Sequence, residues 1–300
     1  MDNSHSHHHH AGHQHQHQHS TAAESDGAAL AEMLDLDGEV LHEYLAELTA
    51  WTRKLDAEPP SRRILDLGSG SGTGTLALLQ RFEGAEVTAV DVSETMLEHL
   101  IRKAGALGLA DRVHTVRADL DAGWPAVGAV DLAWASASIH HLADPDRVLA
   151  DVFAALRPGG LLVVAEMDSI PRFLPDDLGP GLGRPGLEVR ARVALSGQLA
   201  EEVPHLGSDW GPGLQRVGFT IEARRTFDIE LTSPLPASVG RYAQLALRRL
   251  RSGLDGRLDA EDLAALDILL DSEGPEGLPL RDDLAVRTTR TVWMARRPLT

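Results

Sequence analysis

Between residues 38 and 55 the apolar positions fall three and four apart: Val40, Leu41, Tyr44, Leu45, Leu48, Trp51 and Leu55 line one face of "GEVLHEYLAELTAWTRKL". That spacing predicts an amphipathic helix, stopped by Pro59-Pro60. From residue 63 the pattern changes to short unbroken aliphatic runs separated by helical stretches. Residues 63–67, 86–90, 113–117, 130–135 and 161–165 read as strands. Residues 75–82, 93–107 and 145–156 read as helices, with Ser93 and Asp144 as caps and Pro145 at a first helical position. Unbroken rather than alternating apolar strands, separated by helices, predict a parallel sheet covered on both faces.

After Glu166 the regularity stops. "DSIPRFLPDDLGPGLGRPG" (168–186) is too rich in proline and glycine for a long element. A helix over 187–203, a strand over 219–231, helices over 237–250 and 260–270 and a last strand over 284–297 follow. The expected organisation is a tail (1–27) and one domain (28–300). The domain divides into a cap helix at about 38–56, a core at about 61–167, an insertion or lid at about 168–212 and a completing segment at about 213–300.

Composition narrows the function. A net charge of −17 and a pI near 5.2 argue against nucleic acid or an anionic membrane as partner, since both select basic surfaces. With no cysteine, disulfides and thiolate chemistry are excluded. No apolar run approaches the roughly 20 residues that span a bilayer, and the N-terminus lacks the basic start and apolar stretch of a secretory signal. The expected location is cytoplasmic. Residues 1–20 hold nine of the fifteen histidines. Clustered imidazoles chelate transition metals, but a stretch almost without apolar residues also reads as a disordered solubilising tail or tag. No metal site is expected in the core.

The chemistry centres on "LDLGSGSGTG" (65–74), placed between the first strand and the first helix of the core. The dinucleotide fingerprint G-x-G-x-x-G does not fit: counted from Gly68 its third glycine falls on Thr73, and from Gly70 on Thr75. The pattern present is acid-x-G-x-G-x-G, led by Asp66. A carboxylate there suits a ligand that carries an ammonium group better than a pyrophosphate. The second strand ends at Asp91, where an acid can accept both hydroxyls of a ribose.

Five stretches, "ILDLGSGSG", "VTAVDVSETML", "VRADL", "VDLAWASASIHHL" and "LRPGGLLVVAE", occur in this order and spacing. Together they resemble the class I S-adenosylmethionine-dependent methyltransferases. The resemblance implies a Rossmann-like α/β fold: a seven-stranded, mostly parallel sheet with helices on both faces, the last strand antiparallel, an N-terminal helix and an insertion after the fifth strand. It implies S-adenosyl-L-methionine as cofactor. The methionine part would be held by Asp66, Gly68, Ser69 and Gly70, the ribose by Asp91, and the adenine by Asp119 and Leu120. Val92 and Met96 would supply apolar contacts, and Ala135 and Ser136 would lie toward the sulfonium. The acceptor would be a small molecule, for which a specialised metabolite is the expectation.

Methyl transfer from a sulfonium requires alignment of the acceptor and exclusion of water, and a base only where the acceptor must lose a proton. His140 and His141, after the fourth strand, are the candidates for that base. A wall of the acceptor pocket is the expected role for the pair. His42, Tyr44 and Asp168 are further substrate candidates, with Tyr44 read first as a core residue of the amphipathic stripe. Rival readings are a nicotinamide oxidoreductase on a Rossmann-like fold and a non-catalytic cofactor- or metal-binding protein.

Overall fold

A computed structural model describes residues 11–181 and 183–299. Seven strands form one sheet in the order β3-β2-β1-β4-β5-β7-β6. They are β1 (Arg63–Leu67), β2 (Glu86–Asp91), β3 (Val113–Arg117), β4 (Val130–Ser136), β5 (Leu156–Met167), β6 (Thr220–Leu231) and β7 (Val286–Arg296). The first five pair in parallel, whereas β7 runs antiparallel to both β5 and β6. The expected architecture is therefore the observed one.

Both faces of the central strands β1, β4 and β5 are buried along their aliphatic runs, whereas the edge strands β3 and β6 are largely exposed. Ile64, Leu132, Trp134, Val163 and Met294 pack on one side and Leu65, Ala133, Val164 and Trp293 on the other. The first face is covered by α2 (His42–Leu55), α3 (Thr73–Arg81), α4 (Glu94–Ala106), α6 (Leu187–Ala194), α9 (Ser238–Arg251) and α10 (Ala260–Leu270). The second is covered by α5 (Pro145–Ala155) and α8 (Gly211–Val217). Both predicted caps form: Ser93 accepts from the Met96 N–H and Asp144 from the Arg147 N–H.

Three elements depart from the sequence reading. The helix expected over 38–55 is two. α1 runs from Ala11 to Val40 and α2 begins at His42. The hydrogen-bond ladder continues across Leu41, through Leu41 N–Asp37 O at 2.9 Å and Leu45 N–Leu41 O at 3.0 Å, so the chain bends there without breaking. The bend buries Val40, Leu41 and Tyr44 together. The expected tail is helical from Ala11 onward, and residues 1–10 of it lie outside the described residues. The helix expected over 187–203 is divided at Leu195 into α6 and α7 (Ser196–Glu202). Finally α8 lies between 203 and 219, a stretch to which the sequence pattern assigns no element; its sequence is "GPGLQRV". Its Pro212 sits in the first turn and Gly218 closes it at φ +112°, the positions where those residues favour helix ends.

Candidate active site

In a parallel sheet all carboxyl ends lie along one edge, and ligands collect there. Here that edge gathers Asp66, Asp91, Ser136 and Glu166 from β1, β2, β4 and β5. Between β1 and α3 the loop takes a left-handed course, with Gly68 at φ +64° and Gly70 at φ +51°. A side chain at Gly68 would stand 2.6 Å from Ser138 Cβ, and one at Gly70 3.1 Å from Leu34 of α1. The loop is anchored from below: Gly68 and Ser69 donate to Val90 O at 2.8 and 3.0 Å, and Gly70 N donates to Asp91 Oδ2 at 2.8 Å. Asp91 Oδ1 accepts from Ser93 N at 2.8 Å. Each Asp91 oxygen therefore keeps a further lone pair for a ligand hydroxyl.

Asp66 is buried beneath the first turn of α3, where Thr75 Oγ1 donates to its Oδ2 at 2.5 Å. Burial, aided by the charge of Asp91 and opposed by the Thr75 hydrogen bonds, pushes its pKa up to about 7. A carboxyl near neutrality is one that a ligand cation would drive to the ionised form. Met96 and Ala135 are buried, Ser136 and Leu120 are half-buried, and Val92 is 61% exposed on the loop after β2. Asp119 is exposed and closes a turn by accepting from Asp121 N at 2.9 Å, while Leu120 O accepts from Arg147.

The turn after β4 carries the histidine pair. Ala137 has φ +51°, the one non-glycine positive φ among the described residues, a conformation that costs of order 1 kcal/mol or more and clusters at functional sites. It turns the next residues toward the end of β5. The N–H groups of Ser138 and Ile139 donate to Glu166 Oε1 at 2.9 and 2.8 Å, and His140 Nδ1 meets Glu166 Oε2. His140 is buried and His141 exposed, their ring centroids 4.2 Å apart. Desolvation of its inner edge, together with His140 and Arg249 and against Glu166, lowers the pKa of His141.

A second buried cluster lies beside it. Arg290 of β7 pairs through Nη2 with both oxygens of Asp37 on α1, at 2.7 and 2.9 Å, and Tyr242 of α9 donates to Asp37 at 2.6 Å. The guanidinium sits 5.3 Å over the Tyr44 ring. Burial, reinforced by Asp37 and Glu166, raises the Tyr44 pKa to about 12, against the pull of Arg290.

Tyr44, a substrate candidate also readable as core, is buried in the hydrophobic core beside Arg290. Sequence reasoning did not find Glu166, Asp37, Arg290 or Tyr242. His42 is not in the cluster: it is exposed at the start of α2, its Nδ1 on Glu39 O at 2.9 Å. Asp168 is half-buried and bound to the sheet by Thr291 Oγ1 at 2.7 Å.

Buried polar atoms without partners mark where a ligand belongs. Among the described residues nine buried side-chain atoms lack a partner: Ser69 Oγ, Ser138 Oγ, Tyr44 Oη, His140 Nε2 and Arg290 Nε come from these two clusters and the glycine loop, Trp134 Nε1 lies close to Gly74, and Trp210 Nε1, Ser238 Oγ and Trp293 Nε1 lie elsewhere. Two surface clefts lie elsewhere, one of about 490 Å³ lined by Arg53, Arg62 and Arg81 and one of about 300 Å³ beside Asp144 and Trp210.

Residues 64–160 match a family described as a methyltransferase domain. Over 125 residues the chain is 37% identical to demethylmenaquinone methyltransferase of Thermus thermophilus, covering 41% of this chain and 56% of that one. Over 142 residues it is 32% identical to trans-aconitate 2-methyltransferase of Delftia acidovorans, covering 46% and 51%. The chain thus spans about half the length of these curated relatives. In fold it is similar to the YcgJ protein of Bacillus subtilis, with 15% identity, 86% and 99% coverage and a TM-score of 0.52. The BH2331 protein of Bacillus halodurans C-125 is similar to the same degree, with 15% identity, 84% and 98% coverage and a TM-score of 0.52.

Proposed function

We propose, from the premise that this chain belongs to the class I S-adenosylmethionine-dependent methyltransferases, that it transfers a methyl group from S-adenosyl-L-methionine to a small-molecule acceptor. The observation that carries the reading is the glycine loop held open over β1 by Asp91, with partnerless buried hydroxyls of Ser69 and Ser138 at its rim. The residues fit the cofactor's chemistry. Asp66, neutral or ionised near pH 7, answers an ammonium group. The free lone pairs of Asp91 answer a ribose diol, and the exposed Val92 answers an adenine face. The first N–H groups of α3 have no side-chain cap and face the loop, where a carboxylate is favoured. Asp119 and Leu120 are proposed at the adenine edge, and Met96, Ala135 and Ser136 behind the methionine chain. The antiparallel β7 between β5 and β6 departs from the all-parallel order of dinucleotide folds, which weighs against a nicotinamide enzyme.

When bound, the cofactor supplies an already activated methyl group on a sulfonium. The chain's task is to align the acceptor and exclude water. α1, α2 and α9 bring Asp37, Tyr44 and Tyr242 together around Arg290, close enough to Glu166 for its charge to act on Tyr44. The small relatives' acceptors named above and the net charge of −17 support an acceptor that is a small molecule and not a nucleic acid. Among the described residues no helix is long and apolar enough to cross a membrane.

Titration calorimetry with S-adenosylhomocysteine and with NAD tests the reading. Saturable binding of the first and none of the second is expected. NAD binding without S-adenosylhomocysteine binding would overturn it.

A further inference from the structure

Two buried donors beside the candidate site have nothing to donate to. Arg290 Nε and Tyr44 Oη lack a partner in the protein, and their residues are only 5% and 7% exposed. Both hold a proton at neutral pH. A guanidinium is never an acceptor, and burial pushes the Tyr44 pKa up to about 12. They lie together, the guanidinium carbon 5.3 Å over the Tyr44 ring, with Phe227 edge-on to that ring at 5.1 Å. The strand register shows where. Arg290 pairs with Met167 of β5 and with Phe227 of β6, whereas Ser136, the last residue of β4, is level with Ala165. Arg290 therefore stands two residues, about 6.6 Å, beyond the end of β4 and two strands, roughly 10 Å, to its side. A residue that served the fold alone would have its donors paired, as Arg290 Nη2 is by both oxygens of Asp37.

We propose that Arg290 Nε and Tyr44 Oη together hold a carbonyl oxygen of the acceptor, at its end remote from the methyl donor, and that the acceptor is an uncharged carbonyl compound. The inference rests on the methyltransferase reading and names its acceptor class. A carbonyl oxygen has two lone pairs and no hydrogen, so it takes both donors and leaves neither side unpaired. Charge decides against a carboxylate. Arg290 is already balanced by Asp37, Tyr44 and Tyr242 keep their protons, and the Glu166 carboxylate also acts on Tyr44. A ligand carboxylate would join two others around one cation, where burial sharpens the repulsion. A hydroxyl brings a proton as well, which needs a third group to accept it. Arg290 and Tyr44 act by holding, and neither makes or breaks a bond. They set which acceptor enters and how it is turned.

A matched set of probes tests the idea: the methyl ketone, the carboxylate and the secondary alcohol, each on a phenyl, a cyclohexyl and an n-octyl body. They are titrated by saturation-transfer NMR into protein saturated with S-adenosylhomocysteine. On at least one body the ketone should bind, and more tightly than its carboxylate and its alcohol. Tyr44→Phe, which removes only the hydroxyl, should weaken that ketone by about threefold to tenfold, the worth of one hydrogen bond. S-adenosylhomocysteine affinity should not change. With a ¹³C-labelled carbonyl, the infrared stretch of the bound ketone should rise in frequency in Y44F as one donor is lost. Because the hydroxyl has no partner in the protein, ligand-free Y44F should melt at or above the wild-type temperature. Arg290→Lys keeps a charge opposite Asp37 but has no Nε–H, and it should weaken the ketone likewise. Should R290K not fold, Y44F decides. No ketone binding on any body, a carboxylate or alcohol that binds as tightly as the ketone, unchanged ketone affinity in Y44F, or a lower Tm of ligand-free Y44F would overturn the proposal. Absence of S-adenosylhomocysteine binding by the wild type would instead overturn the methyltransferase reading, a result on which the ligand-free Tm does not depend.

Discussion

Two aspartates on neighbouring strands do different work because one is half-open and the other sealed. Asp91 holds the glycine loop and the start of α4 through single hydrogen bonds from Gly70 and Ser93. Asp91→Ala should weaken S-adenosylhomocysteine binding by about 1.5–3 kcal/mol, tenfold or more, as charge-assisted bonds to a diol are lost. Asp91→Asn should fall between the two, and calorimetry showing unchanged affinity in the alanine variant would remove Asp91 from the site. Asp66 makes a pH-signed prediction. Its folded pKa, about 7, lies above the ordinary carboxylate value of 3.8, so the folded protein keeps a proton that the unfolded chain releases. Stability is therefore lost as pH rises from about 4 to about 7 and is level beyond that. Asn at 66 still accepts from Thr75 and does not titrate. In ligand-free protein, the stability of Asp66→Asn relative to wild type should be greater at pH 8 than at pH 5 by roughly 2–3 kcal/mol. Urea titrations giving the same difference at both pH values would contradict the buried, near-neutral carboxyl.

At the scale of elements, α1 is fastened across the glycine loop by three carboxylates on its last turns. Glu32 pairs with Arg241, Asp35 with Lys103 and His99, and Asp37 with Arg290 and Tyr242. The carboxylates differ in depth, from 44% exposure at Glu32 to 23% at Asp37, and Arg290 is only 7% exposed. Depth decides the energetics. Glu32→Ala removes a surface pair and should cost under about 1 kcal/mol. Asp37→Ala strands a buried guanidinium and should cost about 3–5 kcal/mol; equal losses in denaturant titrations would refute this ordering. Such coupling was invisible in the sequence. Asp37 and Arg290 are 253 positions apart, and neither belongs to a periodic pattern that points toward the other. Glu166 left a faint signal, a charged residue closing the unbroken run of 161–165. The strands, both caps and the glycine loop were legible because each is encoded locally: by aliphatic continuity, by Ser93 and Asp144 placed before a helical run, and by Asp66 two residues ahead of Gly68. Residues 11–27 lack apolar periodicity, so nothing local announced that α1 reaches back to Ala11.

For the molecule as a whole, 45 acidic against 28 basic side chains leave a net charge of −17. Most of the ion pairs are exposed and individually worth little, whereas like-charge repulsion adds over the whole surface. Salt that screens both should therefore raise Tm, by roughly 2–4 °C for each kcal/mol of repulsion relieved. A falling Tm would show that the local pairs dominate. The same field distinguishes the donor from its product. S-adenosylmethionine carries a net positive charge through its sulfonium, and S-adenosylhomocysteine is a neutral zwitterion. An acidic protein attracts the first over a Debye length of about 30 Å at 0.01 M salt but only about 10 Å at 0.1 M. Raising salt across that range should weaken donor binding distinctly more than product binding, mainly through a slower association rate. Stopped-flow and calorimetric titrations of both ligands at the two salt concentrations measure it. Equal salt slopes would mean that the field at the glycine loop is set by the nearby Arg290, Lys103 and Arg249 and not by the surface. Unequal slopes of the expected sign would mean that loss of the sulfonium charge itself loosens the product's hold on the site.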